Sequence, residues 1–203
     1  MTAVQAQPRD VLTTEQGGGA EVGRWAMLLF VANEATLFAC LIASYFYLAL
    51  ANPTWPPAGV EKPSLTLPLI MTAALVSSSA VLMYAESGLS SGPRIRYRVG
   101  VLATVALGVS FLVLQSIEYR DKLTRLHPSD NAYGSLFFTI TGLHGAHVAF
   151  GLLFLLWAWL GELKGRTPVP RSRGIVNASL YWHFVDGVWI VILTSLYLSP
   201  RWS

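Results

Sequence analysis

Tyr181-Trp182-His183-Phe184-Val185-Asp186-Gly187-Val188-Trp189 sets a histidine and a carboxylate three residues apart inside an apolar segment. From Ile175 to Ser199 these two are the only His, Asp, Glu, Lys or Arg side chains, and 25 residues suffice for a helix to cross a bilayer. Ionisable groups in such a helix are costly, so they face a bundle interior and a partner. The i, i+3 spacing puts both on one helical face. The stretch therefore reads as a spanning helix of an integral membrane protein with a polar interior.

Outward from it, four more apolar runs can be read, giving five spans: 25–51, 65–84, 99–117, 132–161 and 175–199. The second and third contain no Asp, Glu, Lys or Arg. The fourth is long enough that it must tilt or project beyond the hydrocarbon. With 53% hydrophobic and 12% charged residues the chain lies far from a soluble domain. The fold class is an all-α integral membrane bundle of five transmembrane helices. The one cysteine, Cys40, excludes a disulfide framework. A signal peptide is a poor reading of the first span, which is too long, contains Glu34 and follows a net acidic segment. Residues 1–24, with Gly17-Gly18-Gly19, read as a flexible cytoplasmic tail, and 25–203 as the transmembrane domain.

The net charge of +3 does not indicate nucleic acid, because the basic residues sit in short loops between spans. Their distribution sets orientation instead. Nine Lys and Arg fall on the N-terminal side (Arg9, Arg24, Arg94, Arg96, Arg98, Lys164, Arg166, Arg171, Arg173) and five on the other (Lys62, Arg120, Lys122, Arg125, Arg201). That count predicts a cytoplasmic N-terminus and an outside C-terminus.

Depth brings the polar residues together. At about 1.5 Å per residue, Glu34 lies roughly 15 Å into its span from Arg24. His144 and His147 fall near the middle of the fourth span, and His183 and Asp186 near the middle of the fifth. Five polar residues on three helices thus predict a shared interior layer. The residues alone leave three readings open. One is a structural network of interhelical hydrogen bonds, each worth about 0.6 kcal/mol. Another is a metal or haem site using the three imidazoles. The third is a proton-handling or transport site built on Glu34 and Asp186. His144-x-x-His147 lacks the glutamate of a zincin and sits among glycines, so chemistry alone favours the structural network.

Small residues on the second helix (Ala73, Ala74, Ser77, Ser78, Ser79, Ala80) and Gly142, Gly145 and Gly151 on the fourth suit close helix contact. Trp25, Trp55, Tyr119, Tyr133 and Trp202 read as interfacial anchors. Glu118 is placed at the outer rim, either solvated or paired with Arg120 or a neighbouring chain. Trp55-Pro56-Pro57 makes a stiff outside loop, either a brace or a subunit contact.

Taken together these motifs resemble subunit III of haem–copper terminal oxidases such as cytochrome c oxidase, in a short five-helix bacterial form. The resemblance is carried by Asn33-Glu34, Trp55-Pro56-Pro57-Ala58-Gly59, Leu114-Gln115-Ser116-Ile117-Glu118-Tyr119 and Tyr133-Gly134-Ser135. It continues through Thr141-Gly142-Leu143-His144-Gly145 with His147-Val148, and is most specific at Tyr181-Trp182-His183-Phe184-Val185-Asp186. It spans about residues 25–199 in order. It implies a non-redox subunit of a proton-pumping aerobic respiratory enzyme, with haems and copper in partner subunits and none in this chain. It further implies that the chain binds phospholipid, stabilises the catalytic subunit I in a complex with subunit II, and supports proton uptake. Glu34, His144, His147, His183 and Asp186 match the family's buried polar residues, and a bacterial cytoplasmic (inner) membrane location follows.

The chain departs from the family in three places. Asn33 stands where serine is usual, Tyr45-Phe46-Tyr47-Leu48 lacks the family's histidine, and many relatives have two further helices before the first one here. A related subunit of a quinol oxidase or nitric oxide reductase would share the pattern. A stand-alone proton-coupled transporter is the alternative from another class, and the absence of repeat symmetry weighs against it.

Overall fold

The computed structural model describes residues 9–61, 63–91, 94–164 and 173–201. Lys62, Arg166, Arg171 and Trp202, used above for orientation and anchoring, lie outside them. Five helices follow in order: α1 (Arg9–Ala51), α2 (Thr66–Ser91), α3 (Arg94–Lys122), α4 (Ala132–Leu163) and α5 (Arg173–Ile192). A π-helical turn, Leu193–Leu198, and a 3-10 turn, Ser199–Arg201, prolong α5. There is no strand among the described residues. Each helix, α5 taken together with its two closing turns, contains a stretch long and apolar enough to cross a membrane: Val22–Ala51, Thr66–Gly88, Arg94–Lys122, Ala132–Leu163 and Gly174–Arg201. The five-span reading therefore stands, with longer helices than the apolar runs suggested. The largest extension is at the start, where α1 is already helical from Arg9 and residues 9–24, read as a tail, continue the helix. Once a helix is nucleated, each further residue adds a hydrogen bond at little cost.

The ends are defined by local chemistry. Asn131 caps α4 by accepting a hydrogen bond from the Gly134 N–H at 2.8 Å, which satisfies one of the four free donors of a helix start. Pro63 precedes α2, and its carbonyl accepts from Arg201 Nη2 at 2.7 Å, tying the chain end to the α1–α2 loop. Trp55 in that loop meets Tyr45 and Tyr133 edge-on at 5.6 and 5.4 Å. It braces the loop against α1 and α4.

α2 packs along α3, α3 against α4, and α5 against α4, α2 and α1. α5 is central and α1 peripheral: 56% of the apolar window of α5 is buried, against 6% for α1. Trp182 is the keystone. It is fully buried and donates its indole N–H to Ser78 Oγ on α2 at 2.9 Å. A Cβ added at Gly108 of α3 would lie 2.6 Å from its ring, and one at Gly151 of α4 2.9 Å from it. Those two glycines are what lets α3 and α4 close on one tryptophan.

Candidate functional site

The single polar layer expected from depth resolves into two separate contacts and one isolated imidazole. Glu34 of α1 meets His147 of α4, Oε2 to Nε2, at 3.0 Å, with both side chains mostly buried. His147 Nδ1 lies 2.8 Å from the Leu143 carbonyl. A carbonyl only accepts, so Nδ1 carries a proton and donates it. The Glu34–His147 contact then shares one further proton. Either a neutral carboxyl donates to Nε2, or an imidazolium donates to a carboxylate. Both forms hold the same number of protons and differ only in where one of them sits.

His183 and Asp186 do share a face of α5, as their spacing requires, but they do not pair directly. Both bind Ser79 of α2: His183 Nδ1 lies 2.7 Å from Ser79 Oγ, and the same hydroxyl donates to Asp186 Oδ2. A hydroxyl has one proton to give. With that proton on Asp186, Ser79 accepts from His183 Nδ1–H, giving the order His183, Ser79, Asp186. Asp186 is buried and its Oδ1 has no hydrogen-bond partner. Ser79 was read only as a small packing residue. Its position one helix away, at the depth of His183, was the missing signal.

His144 stands apart. It is fully buried, stacked on Trp189 at 5.2 Å and met edge-on by Phe111 and Phe38. Neither ring nitrogen has a hydrogen-bond partner. His144 therefore belongs to an aromatic cage and not to the polar contacts one turn away. Among the described residues, no three His, Cys, Asp or Glu side chains are grouped to hold a metal ion.

Glu118 is not at a solvated rim. It is buried, accepts from the Tyr197 hydroxyl at 3.1 Å and faces Lys122 Nζ at 3.5 Å. Lys122 also lies over the Phe137 ring at 4.7 Å. Arg120, two residues on, points elsewhere because only i+3 and i+4 share a helix face. A second ion pair was not anticipated: Arg98 of α3 binds both oxygens of buried Glu162 of α4, at 2.8 and 3.2 Å. Gln115 donates to the Thr141 carbonyl at 2.7 Å, nested against Gly145, where a Cβ would come within 2.6 Å of its side chain.

The five helices form a membrane bundle joined by several contacts between buried polar groups, with His144 left in its aromatic cage. Comparison with known proteins gives this bundle a family. The model of the family "Cytochrome c oxidase subunit III" matches residues 16–202, and the chain belongs to that family. Similar proteins include cytochrome c oxidase subunit 3 of Equus caballus and of Mus musculus, each 36% identical over 181 residues, covering 86% of this chain and 68% of the relative. The Schizophyllum commune protein of the same name is 36% identical over 176 residues, covering 84% and 65%. The chain is a multi-pass membrane protein and a subunit of an oxidoreductase complex.

Proposed function

We propose that this chain acts as a subunit without a redox centre of its own, bound beside a catalytic haem–copper subunit I and together with subunit II. It would lie in a bacterial cytoplasmic membrane with the N-terminus inside, as the nine-to-five count of basic residues favours. Its task is to stabilise the catalytic subunit, hold phospholipid against it and help keep its proton uptake supplied. The observation that carries the proton-handling part is the Glu34–His147 contact. It joins a peripheral helix to the core and can hold one exchangeable proton in either of two places.

That the chain holds no redox centre of its own rests on the family resemblance; of the three mid-span histidines, His147 has both ring nitrogens engaged, His183 one and His144 neither. The test is elemental analysis and a visible spectrum of the purified chain, alongside turnover of the assembled oxidase. The chain alone should contain no stoichiometric haem, copper or zinc. In the assembled oxidase, Glu34→Ala should leave haem content intact while proton uptake slows or activity decays over successive turnovers. One metal per chain, lost in His144→Ala or His183→Ala, would overturn the reading.

A further inference from the structure

Along residues 22–51 of α1 only two side chains are buried, Phe38 and Tyr45. Tyr45 packs with Trp55 of the following loop and Tyr133 of α4. Phe38 is buried among the polar residues instead. It follows Glu34 by four positions, so the two side chains leave the same face of α1. Both meet His147: Glu34 through Nε2 at 3.0 Å, and Phe38 through its ring, edge-on with the centroids 5.0 Å apart. The same phenyl ring meets His144 edge-on at 6.4 Å. A helix that buries so little of itself therefore spends one of its two buried side chains on the imidazole that Glu34 binds.

That imidazole needs holding. Its Nδ1–H bond goes to the Leu143 carbonyl, a partner within α4 itself, and so does not tie it to α1. The last torsion of a histidine side chain is broad, and the glutamate that reaches Nε2 is itself a long, rotatable side chain. A buried phenyl ring set edge-on against the imidazole adds a contact of defined geometry. In a close-packed interior such a neighbour restricts the ring's rotation.

From this we infer that Phe38 is a positioning residue for the proton-holding pair. It fixes the His147 ring so that Nε2 stays on the Glu34 carboxyl. The inference rests on the proton-handling reading above and adds the residue that keeps the shared proton between its two holders.

The experiment uses the assembled oxidase purified from its native membrane, with haem content as the check on assembly. Two quantities are read at one fixed pH: the rate at which a hydrophobic carbodiimide labels Glu34, and the lifetime of turnover. Phe38→Leu keeps apolar bulk and removes the ring. It should raise the labelling rate several-fold, because a carboxyl no longer engaged by the imidazole is open to the reagent, and should shorten turnover lifetime. Phe38→Tyr, which keeps the ring, should label as wild type does. Phe111→Leu is the packing control: Phe111 is equally buried and meets His144 edge-on, but among the described residues it makes no ring contact with His147. It should leave the labelling rate unchanged. Wild-type labelling in Phe38→Leu, or the same rise in Phe111→Leu, would overturn the inference and leave Phe38 as packing. Should Phe38→Leu not assemble, Phe38→Met, also without a ring, carries the same expectations. If labelling rises in Phe38→Leu while lifetime is unchanged both there and in Glu34→Gln, the positioning role stands and the proton-handling reading falls.

Discussion

Glu34 and His147 are separated by 113 positions in sequence, yet they lie 3.0 Å apart and share a proton whose position is not fixed by geometry. Two substitutions distinguish a packing role from a proton-handling one. Gln at position 34 can still donate to His147 Nε2 but cannot give up that proton. Glu34→Gln should therefore preserve assembly and thermal stability while turnover lifetime falls as it does for Glu34→Ala. Equal lifetimes for wild type and both variants would reduce Glu34 to a packing residue. Hydrophobic carbodiimides offer an independent check: labelling should fall on Glu34 before Glu118, whose carboxylate is held by Lys122 and Tyr197. Labelling that falls first on Asp186 would shift the proton-handling role to α5.

At Glu118 the sequence left a solvated carboxylate, a pairing with Arg120 or a contact with a neighbouring chain open, and spacing shows why Arg120 is not the partner within the chain: Lys122 at i+4 is the residue on the same face. Because the pair is buried, removing one partner strands the other. Lys122→Met should lower stability by about 3 kcal/mol, and Glu118→Gln combined with Lys122→Met should recover most of that. Thermal unfolding in detergent would measure both. A single variant as stable as wild type would show that the pair is solvated after all.

Helices were the legible elements, because an apolar run declares itself without knowledge of its neighbours. Their contacts were less legible. The depth argument correctly brought Glu34 and His147 to one level, but depth says nothing of azimuth. His144, three residues before His147, turned into an aromatic cage instead. Ser79 could not be singled out from Ser77 and Ser78 until α2 was placed against α5. The close approach of α3, α4 and α5 is likewise a property of pairs of elements. It depends on Gly108 and Gly151 lying on either side of Trp182. Gly108→Ala should overpack that junction and cost about 1–3 kcal/mol, whereas Gly187→Ala, which meets open space, should cost far less. Unfolding midpoints of the two variants would show the difference, and equal midpoints would remove Trp182 as the keystone.

For the molecule as a whole, the division of labour between a core of four helices and a peripheral α1 matters most. α1 buries little of its apolar surface within this chain, and Trp25, Leu29, Tyr47 and Leu50 on it are all more than 60% exposed. Yet it carries Glu34, the residue on which the proposed proton-handling role turns. It is tied to the rest of the bundle by Glu34 with His147, Asn177 Nδ2 with the Gly23 carbonyl at 3.4 Å, Phe30 against Tyr181 at 6.0 Å, and the buried rings of Phe38 against His147 and Tyr45 against Tyr133. In the membrane, lipid or a neighbouring subunit completes its surroundings. The central claim is that this chain assembles with other subunits, and affinity purification in mild detergent tests it most directly. A tagged chain drawn from its native membrane should elute with a larger subunit in equal amount, and the eluate should show the visible absorbance of haem. Recovery of the chain as a lone, monodisperse species, colourless and with a substrate flux of its own, would contradict the account.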